Sequence, residues 1–199
     1  MKLAVIIGAT REGRKTDRQA KWVFNTVKQF EDTQAELVDL KDYPMPFFDE
    51  PVSPRYNPDR KIDPAAIPWL KKLEEFDAYI FVTPEYNHSV PGVLKNALDY
   101  VTFELVHKPA AVVSHGAQAG ARAMTDLKEI LSESRAVPIP TVSPTAMSRM
   151  SEMIDENGNL SEEAKANPYG PQKGLDSLLT DLKWYSDALS AGRASDKQV

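Results

Sequence analysis

Cysteine is absent from the 199 residues. Disulfides, thiolate nucleophiles and thiolate-bound metals are excluded with it, and a cytoplasmic location is the default expectation. No apolar run approaches the ~18 residues that a membrane span requires. Met1 to Gly8 is too short for a signal peptide and reads as a strand. Histidine is scarce: none of His88, His107 and His115 pairs with another at metal-ligand spacing, and no carboxylate cluster stands out. There is no Gly-x-Ser-x-Gly elbow, which leaves a hydrolase reading with little support. Cations are not in excess either. The net charge of −5 argues against a general nucleic-acid binder.

What is present suits a sizeable core. Hydrophobic residues make up 42 % of the chain, and no internal repeat is visible. The expected organisation is one domain over residues 1–190 with a frayed tail over 191–199. Leu3 to Ile7, Ala35 to Leu40, Ala78 to Val82, Pro109 to Ser114 and Ala136 to Val142 read as strands. Helical spacing follows Thr16 (Ala20, Val23, Phe24, Val27), covers 65–76 and 93–101, and runs from Ala121 to about Ser134. A last amphipathic helix is marked by Leu175, Leu178, Leu179 and Leu182. This alternation implies an α/β fold with a five-stranded parallel sheet and helices on both faces. The segment 143–174 reads as mostly loop, with a turn at Asn157-Gly158. Met147, Met150 and Met153 read as flexible packing. Residues 41–63 form a long irregular stretch with five prolines between Pro44 and Pro58, a length that points to function or an interface.

Three loops then fall on the carboxyl edge of the sheet, where open α/β folds bind ligands. The first, Gly8 to Thr16, joins a strand to a helix start and carries Thr10, Arg11, Arg14, Lys15 and Thr16. Unpaired amides and cationic donors suit a phosphate. The alternative is a capped turn with solvated basic residues. Thr16-Asp17-Arg18-Gln19 fits a capping box. The spacing is wrong for a nucleoside-triphosphate loop, because Arg14 intervenes between Gly13 and Lys15, and a Gly-x-Gly-x-x-Gly fingerprint is missing. The third strand also lacks a terminal acidic residue to organise magnesium. A terminal monophosphate fits better.

The second loop, Thr83 to Gly92, is stiffened by Pro84 and Pro91, with Ser89 as the expected cap of the following helix. Pro84, Glu85, Tyr86 and Asn87 offer groups for the edge and face of a flat polar heterocycle; the alternative is a rigid structural turn. The third loop begins Ser114-His115-Gly116. His115 is a candidate ligand donor, and Gly116 and Gly120 permit close backbone approach. His88 and His107 read as surface or packing residues.

Three segments resemble the NADPH-dependent FMN reductase family, whose fold is flavodoxin-like. They are Gly8-Ala9-Thr10-Arg11-Glu12-Gly13-Arg14, then Pro84 through Asp99, then Ser114-His115-Gly116 with Gly120-Ala121-Arg122-Ala123. The similarity covers about residues 3–142. Two positions depart from the family pattern: Ala9 stands where Ser is frequent, and Ala119 precedes Gly120 where two glycines are frequent. The first departure leaves more of the phosphate to Thr10, Arg11, Arg14 and Thr16. The resemblance implies a non-covalent FMN. Its phosphate would lie in the first loop, Pro84 to Asn87 would hold the isoalloxazine and ribityl chain, and Ser114 to Gly116 would approach the far edge of the ring. It further implies NADPH or NADH as donor, a small-molecule acceptor (quinone, flavin, azo or nitro compound, or oxidised metal species), and a homodimer or homotetramer. No protein side chain is expected to act as nucleophile or obligatory base. Two rival readings are a flavodoxin-type electron carrier and a non-catalytic nucleotide-binding sensor.

Overall fold

A computed structural model of the chain describes residues 1–140 and 150–195. Five parallel strands build the sheet: β1 (Lys2–Ile7), β2 (Gln34–Asp39), β3 (Ala78–Pro84), β4 (Pro109–His115) and β5 (Val137–Pro138). Their spatial order is β2-β1-β3-β4-β5. The chain therefore leaves β1 toward one edge, then crosses back over it to β3, and the crevice between β1 and β3 is the topological switch point.

Burial on both faces explains the uninterrupted apolar strands. Along β3 the side chains alternate between two cores. Tyr79 and Phe81 pack with Trp69, Leu94, Tyr100 and Leu127, while Ala78, Ile80 and Val82 pack with Leu3, Val5, Val23, Leu175 and Leu178. The first core is closed by α2 (Ile67–Glu74), α3 (Gly92–Asp99) and α4 (Ala121–Glu133), and the second by α1 (Thr16–Val27) and α7 (Pro171–Ser195). Fully buried Trp69 anchors the first, its indole nitrogen donating to the Ala97 carbonyl at 2.9 Å. Truncating such a residue costs about 3–5 kcal/mol.

Several boundaries differ from the sequence reading. β3 runs on through Thr83 and Pro84, because these pair with Ser114 and His115. β5 is short, and the end of the strand expected there, 141–142, lies outside the described residues, as does Met147. The segment 143–174 was expected as loop, yet its described part carries α5 (Met150–Met153), α6 (Glu162–Ala166) and the start of α7. The Asn157-Gly158 turn docks it on α1: Lys21 Nζ donates to the Glu156 carbonyl at 3.0 Å, and Asn25 Nδ2 to the Asn157 carbonyl at 3.1 Å. Gly158 has φ +83, and a Cβ there would stand 2.5 Å from the Trp22 amide nitrogen. Only glycine lets the turn approach the helix so closely. α7 continues through Ser195, past the expected point of fraying.

The proline-rich stretch is pinned rather than loose. Asn96 of α3 accepts from the Phe48 amide and donates to the Pro46 carbonyl, both at 2.8 Å. Arg60 pairs with Glu50 at 2.7 Å, the two side chains only 7 % and 9 % exposed, and reaches the Thr102 hydroxyl at 2.6 Å. Two single-turn 3-10 helices, Leu40–Asp42 and Pro54–Tyr56, interrupt it.

Candidate functional site

Strand register fixes where the three loops emerge. Ile7 lies beside Val82, and Pro84 beside His115, so the loops after β1, β3 and β4 leave the sheet side by side. Two backbone bonds extend the ladders into the loops: the Gly8 amide to the Val82 carbonyl and the Glu85 amide to the His115 carbonyl, both 2.8 Å.

In the first loop the basic residues divide into two roles. Arg11 is exposed. Its Nε donates to the Tyr86 hydroxyl at 3.2 Å, and its guanidinium carbon lies 5.8 Å from the Tyr86 ring centroid. It thus links the first loop to the second while keeping donors free. Arg14 differs from the expectation of a ligand contact. Its side chain is 8 % exposed and is spent on Asp17 (2.6 Å), on both oxygens of Asp39 at the end of β2, and on the Ala9 carbonyl. Arg14 braces the loop against the sheet.

Thr16 also differs. It is the first residue of α1 rather than its cap; Lys15 holds the cap position without a capping bond from its own side chain, and no other side chain among the described residues caps that end. Gln19, expected to close the capping box, is fully buried, and neither amide atom has a hydrogen-bond partner among the described residues. The Thr16 hydroxyl, itself fully buried, lies 3.0 Å from His115 Nε2. It ties the first loop to the third from behind. The uncapped α1 terminus leaves early amides for an external acceptor. Thr10, in the loop before that helix, is half-buried.

The second loop is a tight reversal. Tyr86 and Ser89 exchange amide-to-carbonyl bonds at 2.9 and 3.0 Å, and Asn87 and His88 between them have φ of 49° and 69°. Positive φ at both central positions defines the type I′ family, which favours Asn at the first of them. Asn87 is therefore held outward on a rigid support. Ser89 does not cap α3; Pro91 occupies that position, and its carbonyl accepts from the Leu94 amide at 2.9 Å. Pro84 is buried in the sheet.

Glu85 was expected to face a ligand. Its carboxylate is 8 % exposed and instead closes the start of α4, accepting from the amides of Arg122 (3.0 Å) and Ala123 (3.4 Å). Burial by itself would raise its pKa; the two amides, with His88 and the Arg122 guanidinium, outweigh burial and hold the carboxyl below its usual value. This is a helix cap supplied from 37 residues away.

In the third loop, the buried Ser114 hydroxyl donates to the Ala119 carbonyl at 3.1 Å. Gly120 has φ +69, and a Cβ there would stand 2.7 Å from the His115 nitrogen and from Ser114 Cβ. Glycine is what folds this loop back on its own strand. Burial, and then the nearby Lys15 charge, push the His115 pKa down to about 4, so the ring is neutral at neutral pH.

Of the residues expected at a site, Thr10, Arg11, Tyr86, Asn87, His115 and Gly116 line the edge, whereas Arg14, Thr16, Pro84, Glu85 and Ser114 form its supporting layer. Sequence reasoning did not identify Asp39 and Arg122, the fixed partners of Arg14 and Glu85. Chemically the edge offers an exposed guanidinium and uncapped helix amides at one end. At the other it offers an aromatic ring, an amide side chain and close backbone. Among the described residues no group of His, Asp or Glu is placed to hold a metal, and no helix is long and apolar enough to cross a membrane.

Known proteins are similar to this chain in sequence and in fold. The family model described as NADPH-dependent FMN reductase matches residues 1–148. The NAD(P)H-dependent FMN reductase ntnL of Nectria sp is 37 % identical over 134 residues, which span 65 % of this chain and 67 % of that protein. The NADPH azoreductase of Bacillus sp. (strain OY1-2) is 32 % identical over 189 residues, 92 % of this chain and 95 % of that protein. Among solved structures, the flavoenzyme NAD(P)H:(acceptor) oxidoreductase FerB from Paracoccus denitrificans superposes with a TM-score of 0.70 at 21 % identity, covering 96 % of this chain and 97 % of that one. That superposition shows the fold.

Proposed function

Because the chain belongs to the NADPH-dependent FMN reductase family, we propose that it is an FMN-dependent oxidoreductase passing electrons from NADPH or NADH to a small acceptor. The single observation that carries this reading is the divided carboxyl edge, with its cationic, uncapped helix start beside a rigid aromatic and amide turn. The donor set fits FMN. Arg11, Thr10 and the first amides of α1 suit a phosphate dianion, and nothing lies within 4 Å of a Cβ placed at Gly13, so this part of the loop is open. Tyr86, Asn87, His115 and Gly116 suit a flat heterocycle.

The flavin, when bound, supplies reversible two-electron carriage between nicotinamide and acceptor. The chain's own residues do the rest. Arg14 holds the first loop in shape through Asp39. The Tyr86–Ser89 turn fixes the second loop. Glu85 sets α4 and hence the third loop. None of them supplies a nucleophile. The related reductases favour a quinone, flavin or azo compound as acceptor, since the relatives include an azoreductase, a Pseudomonas putida quinone reductase and a Lactobacillus johnsonii flavin reductase subunit. A homodimer or homotetramer belongs to the same proposal on the strength of the family resemblance, and a cytoplasmic location on the cysteine-free composition. Light scattering on a sizing column tests the subunit count. The activity is tested by steady-state NADPH oxidation with a soluble quinone and no partner protein. Turnover supports the enzyme, and its absence in flavin-loaded protein favours the electron-carrier reading.

A further inference from the structure

The contact between Thr16 and His115 determines more than loop packing. A neutral imidazole carries one N–H, on Nδ1 or on Nε2. The Thr16 hydroxyl is fully buried, and its one partner among the described residues is His115 Nε2 at 3.0 Å. If Nε2 carried the proton, it would donate to the Thr16 oxygen, and the hydroxyl hydrogen would be left buried with no acceptor. A buried donor without a partner is strongly disfavoured. If the hydroxyl donates to Nε2 instead, both groups are satisfied and the ring proton must sit on Nδ1. That nitrogen has no hydrogen bond among the described residues, and the His115 side chain is not fully buried.

We propose that Thr16 fixes His115 as its Nδ1–H tautomer, so that His115 presents an uncharged N–H donor at the carboxyl edge to an acceptor atom of the bound heterocycle. His115 is then a cofactor-binding side chain, and Thr16 is a positioning residue that acts through it. The identity of the acceptor rests on the flavin reading above; the tautomer does not. A donor that stays uncharged at neutral pH recognises a ring carbonyl or a pyridine-type nitrogen without drawing in a second anion. The pair also couples the two halves of the site, because Thr16 begins the helix at the phosphate end.

Long-range proton–nitrogen NMR on ligand-free protein tests the tautomer. The three histidines are told apart with His88→Gln and His107→Gln variants. The expected spectrum shows His115 with a protonated Nδ1 and a pyridine-type Nε2, Thr16→Val converts it to a tautomer mixture, and Thr16→Ser restores it. A protonated Nε2 in the wild type, or an unchanged spectrum in Thr16→Val, overturns the inference. The donor role is tested by titrating FMN and riboflavin. Loss of one hydrogen bond in His115→Phe weakens both by roughly tenfold, since the contact is to the ring they share. Unchanged affinity for both overturns the donor role. Thr16→Val, which keeps the side-chain volume, covers the case in which His115→Phe does not fold. Wild-type protein that binds neither flavin refutes the proposed function and with it the acceptor, while the tautomer is decided by the NMR result alone.

Discussion

Replacing Glu85 separates a scaffold role from a ligand role. Its carboxylate is buried against the first amides of α4 and an Arg122 guanidinium at 3.5 Å. Glu85→Ala removes a charge-assisted acceptor, an effect of about 1.5–3 kcal/mol, and leaves the helix start uncapped, typically ~1 kcal/mol. The two effects share the same bonds, so the expected loss is about 2–3 kcal/mol. For a chain of this length that lowers the Tm by roughly 5–10 °C. Glu85→Gln keeps one acceptor oxygen and should lose about half as much. The pH dependence follows from the sign of the shift. The folded carboxyl titrates below its ordinary value of 4.5. Its stabilisation is therefore complete above pH ~4.5 and is lost as the pH falls through the lower folded value. Circular dichroism melts of the ligand-free variants from pH 3 to 7 measure both effects. An unchanged Tm in Glu85→Ala together with lost FMN affinity would refute the reasoning and return Glu85 to the binding surface.

Further outcomes separate the two arginines of the first loop and the two ends of the site. Arg14→Ala breaks a largely buried pair with Asp39 and should cost about 3 kcal/mol in chemical denaturation. Arg11→Ala should leave the melt unchanged yet weaken FMN at least tenfold, with riboflavin nearly unaffected, as fluorescence titration would show. Gly120→Ala forces φ +69 on a residue whose Cβ would sit 2.7 Å from Ser114 and His115 at the end of β4. Strain of about 1–3 kcal/mol plus the clash predicts poorly soluble protein or a Tm lower by at least ~5 °C. His115 has a folded pKa lowered from 6.5 to about 4. Its contribution to stability is thus whole above pH ~6.5 and declines toward pH 4, by about 3 kcal/mol at most. Denaturant midpoints across that range should flatten in His115→Phe.

The central strands β1, β3 and β4 were legible because burial on both faces leaves unbroken apolar runs such as Leu3 to Ile7. The three loops were legible because the order of strands and helices fixes which ends share an edge. What each loop residue does there was less so. Thr16 with Gln19 three residues on looks the same as a capping box. The competing partner, His115, is 99 residues away and has no local signature. Arg11 and Arg14 are alike in sequence, and Asp39, at the tip of a neighbouring strand, helps distinguish the buried brace from the exposed cation. Glu85 sits in a polar turn that reads as a binding loop, yet its acceptors are filled by amides that the fold brings from α4. The helices α5 and α6 escaped notice because four or five residues are too few to show a period.

We propose that this carboxyl edge holds an FMN that NAD(P)H reduces. The most direct measurement is the visible absorbance of the purified protein loaded with FMN, followed by NADPH or NADH under anaerobic conditions. The expected result is stoichiometric flavin absorbance that bleaches on addition of the nicotinamide and returns when a quinone is added. Protein that takes up no FMN, or a bound flavin that stays oxidised with both nicotinamides, would contradict it.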